Sequence, residues 1–207
     1  MKVIDVRRER LDDVVEETAR VVFDGGTVVY PDETGYVIAC DPQHGAAVAL
    51  IYEAAGSNPI LHVAVCVASP AEFLEFAPEN PLAILAVKRL LPAPVMFILR
   101  RPAFFGEEQT AGRLTIGFRV PTDPLARAIL ERCGPLVAAA TAYSGEGESL
   151  GPADLLLQRG EVAPRLEISV VDLTGNRARL LREGAVPFDR LVERFGPIER
   201  PTMRTST

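Results

Sequence analysis

Apolar residues at Leu11, Val14, Val15, Val21 and Val22 recur at helical spacing, and Gly25-Gly26 marks the stop. Thr27 to Tyr30 reads as a short strand ended by Pro31, and Tyr36 to Cys40 as a second strand. Gly45 to Ala55 predicts a helix with Val48, Ile51 and Tyr52 on one face, closed by Gly56. Leu61 to Val67 is an almost unbroken apolar run, the pattern of a strand buried on both faces. Ser69-Pro70-Ala71-Glu72 is a capping box with proline at the first helical position, and Asn80-Pro81 and Asp123-Pro124 repeat the cap-then-proline signal. Further strands are expected over Pro94 to Leu99, Leu114 to Val120, Pro135 to Ala140, Ile168 to Leu173 and Ala178 to Leu181, with a turn at Gly175-Asn176. Strands alternate with helices in places and adjoin strands elsewhere, which predicts an α/β domain with a mixed sheet and helices packed on it. The polar stretch Arg200 to Thr207 reads as a frayed end.

Composition narrows this picture. A chain of 207 residues, 48% apolar and 24% charged, suits one well-cored domain. No apolar run reaches the roughly 18–20 residues of a membrane span, and charged residues occupy the start of the chain. The expectation is a cytoplasmic protein with no membrane partner. Cys40, Cys66 and Cys133 stand apart in apolar segments, as reduced, buried thiols do. A net charge of −6 opposes a broad grip on nucleic acid, although a local basic patch remains compatible with RNA. Only Lys2 and Lys88 are lysines, so chemistry that needs a lysine has almost no candidate.

Three segments carry candidate chemistry. Tyr30 to Tyr36 brings Asp32, Glu33, Thr34 and Tyr36 into one strand–turn–strand unit, either a ligand loop or a solvated turn. Adjacent residues at a strand end point apart, so Asp32 and Glu33 are not read as a metal pair; no metal site is expected. Arg119 interrupts an apolar strand just before Val120-Pro121, a position that demands an anionic partner, from the protein or from a ligand. Gly134 to Gly145 is a strand entering a hydroxyl-bearing turn; Glu146 and Glu148 would repel a pyrophosphate from the glycines around them. Arg177, Arg179 and Arg182 face one side of a strand, either lining a cleft, facing RNA or lying on an exposed sheet face.

These segments, in this order, resemble the YrdC-like family, the L-threonylcarbamoyladenylate synthases. Its members carry G-G-x-x-x-Y-P-T-D-T-x-Y-G-L, K-x-R, R-V-P, S-A-N-x-S-G, P-S-T-x-V-D and L-R-x-G, and the frame matches here from about Leu11 to Phe188. The resemblance implies a YrdC-like twisted mixed sheet with flanking helices around a concave cleft, over residues 11–188, followed by a C-terminal extension over 189–207. It also implies an ATP-dependent reaction that joins threonine and bicarbonate into threonylcarbamoyl-AMP, with Mg2+ and release of pyrophosphate, for modification of a tRNA adenosine.

Residue by residue, the resemblance assigns Thr34, Tyr36, His62, Arg119 and Ser169 to the amino-acid side, Arg119 being the natural partner of a threonine carboxylate. These five are expected to share one cleft. Ser144 and Arg182 fall where the nucleotide is contacted. Elsewhere the pattern departs: Ala55-Gly56-Ser57 stands for K-x-R, Ala140-Thr141-Ala142 for S-A-N, Glu167-Ile168 for the proline and serine of P-S-T, and Asp32-Glu33 for T-D. Met96 replaces a common threonine. No catalytic residue is assigned. Three functions fit these residues: the family's synthase; a non-adenylating paralogue that binds an amino acid or another small carboxylate; and a module that binds a nucleotide or RNA.

Overall fold

The computed structural model describes residues 1–56, 62–77, 79–141, 143, 145, 153–161 and 166–200. In chain order these form β1 (Lys2–Asp5), α1 (Leu11–Phe23), β2 (Val28–Asp32), β3 (Gly35–Cys40), α2 (Gly45–Ala54), β4 (Val63–Cys66), α3 (Pro70–Glu75), α4 (Pro81–Arg89) and β5 (Val95–Arg100). After a short 3-10 turn at Glu108–Thr110 come β6 (Thr115–Arg119), α5 (Pro124–Cys133), β7 (Leu136–Ala140), β8 (Leu155–Gln158), β9 (Ser169–Asp172), β10 (Ala178–Arg182), α6 (Phe188–Phe195) and β11 (Ile198–Glu199). The three proline-started helices begin where the caps predict: Ser69, Asn80 and Asp123 each accept a hydrogen bond from a first-turn N–H.

Among the described residues the strands form one mixed sheet in the order β1-β8-β2-β3-β7-β4-β6-β5-β9-β10-β11. Antiparallel pairs join β2 to β3, β3 to β7, β4 to β7, β5 to β6 and β9 to β10; the remaining neighbours run parallel. The architecture is the twisted mixed sheet with flanking helices that the resemblance implies.

Alternation along the strands divides the core. Tyr36, Ile38, Val65, Phe97 and Phe118 pack on one face beneath α2, α3, α4 and α6. Val28, Tyr30, Val37, Ala39 and Ala138 pack on the other beneath α1 and α5. Each large apolar side chain buried this way contributes about 1.5–3 kcal/mol. On that second side, Ala64, Met96, Ile98, Ile168 and Val170 form a smaller cluster of strand and loop residues alone. The candidate site lies beside this cluster.

Two local expectations change. Pro31 does not end its strand: β2 continues to Asp32, with Pro31 opposite Tyr36. The other neighbour, β8, pairs only with Val28 and Val29, so the missing proline N–H costs no ladder bond. Residues 2–5 and 198–199, outside the 11–188 range, supply the two edge strands, and α6 buries Leu191 and Phe195 in the core. No described helix is long and apolar enough to cross a membrane. The expected frayed end at 201–207 lies outside the described residues, as does Leu61.

Candidate functional site

The β2–β3 turn builds the site from its own polarity. The Asp32 Oδ1 atom accepts from both the N–H and the hydroxyl of Thr34, each at 2.6 Å, which closes the turn ahead of Gly35. Gly35 sits at φ +120°, a conformation that other residues rarely adopt. Asp32 Oδ2 is left facing β6, where Arg119 ends the strand, and the two meet at 3.1 Å.

Glu33 reaches the same arginine. Its Oε1 lies 2.9 Å from Arg119 Nη2, while Oε2 accepts from the N–H groups of Thr122 and Asp123, each at 3.2 Å. The expectation that Asp32 and Glu33 point apart is therefore corrected. Glu33 lies in the turn after the strand, and the chain reversal swings its side chain onto the same cation. Arg119 is only 5% exposed. Burial works against its charge, but Asp32, Cys66 and Glu33 outweigh it and hold its pKa above the ordinary arginine value. The anionic partner that the sequence left open is thus supplied by the protein itself.

Arg119 Nε is buried and has no hydrogen-bond partner among the described residues; the same is true of the Tyr30 hydroxyl. Burial, with Cys66 and Asp32 nearby, raises the Tyr30 pKa well above its usual value, so the phenol stays protonated.

Arg119 lines a cavity of about 80 Å³, together with Thr34, His62, Arg182, Glu167 and Met96. Thr34, His62, Arg119 and Arg182 were all read from the sequence as site residues, and the fold brings these four together. It places Tyr36 and Ser169 elsewhere. Tyr36 sits one position from Val37, which lines the cavity, and so faces the opposite side of the sheet. There its hydroxyl donates to Gly160 O at 2.8 Å and accepts from Arg159 N at 2.9 Å. Ser169 is fully buried; its hydroxyl donates to Val186 O at 2.7 Å and accepts from the N–H groups of Gly184 and Val186. The single shared cleft expected for five residues is corrected to a cavity holding Thr34, His62 and Arg119, with Tyr36 and Ser169 acting as backbone clamps. Ser144 lies outside the described residues, as do Ser57 and Ala142.

The arginine stripe on β10 divides by partner. A bulge between Leu180 and Arg182 keeps Arg182 on the face that carries Arg179. Arg179 pairs with Asp172 at 2.8 Å and Arg177 with Glu199 at 3.5 Å, while Arg182 lines the cavity and donates from Nε to Ile168 O. The stripe therefore carries less net charge than its sequence suggests.

Sequence reasoning missed the support behind Glu33. Asp123 caps α5 and takes a two-pronged contact from Arg159, at 2.6 and 3.0 Å. Arg159 lies far along the chain, and nothing local marks it as the partner. Among the described residues no cluster of three potential metal ligands occurs. The cavity is also small for a nucleotide, since ligand pockets commonly run about 300–1,000 Å³. Ala140 lines it with a methyl group, and Ala55 packs on the core at the end of α2.

A family model, Sua5_yciO_yrdC, described as telomere recombination, matches residues 20–184. The threonylcarbamoyl-AMP synthase of Pyrococcus abyssi is 27% identical over 96% of this chain, which spans 62% of that protein. The YciO protein of Escherichia coli is 25% identical over 83% of this chain and 89% of its own length. The crystal structure of P. abyssi Sua5 complexed with L-threonine superposes with a TM-score of 0.80 at 25% identity, covering 97% of this chain and 63% of that one. The chain thus spans about three-fifths of the length of the P. abyssi relative.

Proposed function

The chain belongs to the Sua5_yciO_yrdC family, and we propose that it is a divergent relative of the threonylcarbamoyl-AMP synthases that binds a small molecule in the cavity beside Arg119 and makes little or no adenylate. The observation that carries this reading is the state of Arg119. Both terminal nitrogens of its guanidinium are held by Asp32 and Glu33, so the cation offered by the R-V-P position is already neutralised.

Adenylate formation expels pyrophosphate and needs cations or oriented donors on the departing group. Ala55 and Ser57 stand where the family has its lysine and arginine, and Ala140 and Ala142 where it has serine and asparagine. Losing two such groups at roughly 10²-fold each leaves little catalysis. The residues present do not fit ATP with Mg2+.

An active synthase is the second reading. It is supported by the convergence of Thr34, His62, Arg119 and Arg182 on one cavity, with Arg182 taking the phosphate role. Calorimetric titration with ATP, threonine and both together, beside pyrophosphate release with bicarbonate and Mg2+, separates the two. The P. abyssi enzyme serves as control. The proposal expects no ATP binding and near-background turnover; turnover within about tenfold of the control, or roughly 1.4 kcal/mol in barrier, refutes it. Binding of tRNA without turnover would instead indicate an RNA-binding module.

A further inference from the structure

We propose that Met96 sets the size of the ligand this cavity admits, and that the cavity takes an α-amino acid no larger than alanine, with threonine excluded by its bulk. The inference rests on the small-molecule reading above and adds the ligand's size and class.

The strands beneath the cavity carry small residues side by side. Ala138 on β7 stands opposite Ala64 on β4, and Ala64 opposite Gly117 on β6. Such a row leaves a trough across this face of the sheet, and Met96 fills part of it. Met96 shares its face with Ile98, the partner of Gly117 on β5. A Cβ at Gly117 would lie 2.5 Å from Met96 Sδ and 2.9 Å from its Cγ. The thioether therefore rests on Gly117, in room that any larger residue there would deny it.

Met96 lines the cavity and yet has no exposed surface. It acts by occupying space beneath the ligand. Ala64, Ile98, Ile168 and Val170 hold it in an apolar cluster, and an unbranched thioether suits an irregular gap of this kind. What remains is about 80 Å³, against about 300–1,000 Å³ for common ligand pockets. Removing a large apolar side chain from a close-packed core opens on the order of 150 Å³. Met96 thus withholds at least as much room as the cavity offers.

The polar lining gives the class. Arg182 and Glu167 bring opposite charges to the cavity, and Glu167 is exposed at its open side. An amino acid carries both complements, a carboxylate for the guanidinium and an ammonium for Glu167.

Chemical-shift titration of the whole chain with glycine, L-alanine, L-valine and L-threonine reads the size limit. The wild type is expected to bind alanine at least about tenfold more tightly than valine and threonine, which are alike in shape, because over-packing a tight site costs that much. Met96→Ala is expected to gain on the order of tenfold to a hundredfold in affinity for valine and threonine. Met96→Leu, which conserves volume and removes the sulfur, is expected to keep the wild-type order. Should Met96→Ala fail to fold, Met96→Val takes its place. Propionate, which is alanine without the ammonium, is expected to bind the wild type at least about tenfold more weakly than alanine, and equal binding refutes the amino-acid class. Threonine that binds the wild type as tightly as alanine overturns the size limit and leaves the small-molecule reading standing. A Met96→Ala chain with no gain for valine or threonine overturns it as well. A gain in Met96→Ala, with no amino acid binding to the wild type, supports the size limit and counts against the small-molecule reading instead.

Discussion

Ser169→Ala separates a structural hydroxyl from a ligand contact. The Ser169 side chain is completely buried at the start of β9, where its oxygen accepts from Gly184 N and Val186 N at 3.1 Å each and donates to Val186 O at 2.7 Å. It thereby ties the chain leaving β10 back onto the sheet. Alanine removes all three bonds and leaves two backbone N–H groups without their acceptor. An orphaned buried donor costs about 1–3 kcal/mol, and these two are only part-buried, so a loss of about 2–4 kcal/mol is expected. In a domain of this size each kcal/mol moves Tm by roughly 2–4 °C, which places the drop at about 4–16 °C. Thermal and urea unfolding measure it, with ligand titration run in parallel. Retained binding with lowered stability is the expected pair. An unchanged Tm with lost binding refutes the clamp and restores Ser169 to the ligand site.

Two further outcomes follow from titrating groups. Burial works to raise the Asp123 pKa, but the Arg159 fork and the N–H groups of Ala126 and Leu125 outweigh it, so it stands below the ordinary carboxylate value. A carboxyl with a depressed folded pKa takes its proton first in the unfolded chain. Its stabilisation is therefore complete above the unfolded pKa of about 3.9 and is lost as pH falls through the folded value. Glu17 and Asp5, held down to about 2 by Arg20 and Lys2 and by Arg7, titrate in the same window. Asp123→Asn, which keeps a good helix cap, should flatten part of the acid-side fall in urea stability between about pH 5 and 2; an unchanged slope refutes the coupling. Separately, burial pushes the Cys40 and Cys66 thiols up to about 12 and Cys133 up to about 11. At about pH 8 a disulfide reagent should label none but the half-buried Cys133 until urea is added, and rapid native labelling of Cys40 would count against it.

Local signals made most of the scaffold legible. The caps at Ser69, Asn80 and Asp123 and the apolar runs of β3 to β7 depend on interactions within a few residues, and each appears where the pattern places it. The weakly marked pieces were not legible: β1 and β11 are short edge strands, and β8 and α6 gain their place only from partners remote in the chain. The site divides along the same line. The family resemblance pointed to Thr34, His62, Arg119 and Arg182, and the fold brings all four to one cavity. Side-chain direction turned Tyr36 and Ser169 away, because a one-residue step in a strand changes the face. The state of Arg119 was likewise beyond local reading. A buried arginine announces that it has an anionic partner, but the choice between a ligand and Glu33 depends on how the β2–β3 turn meets the end of β6, where Glu33 and Arg119 lie 86 residues apart along the chain and 2.9 Å apart in space.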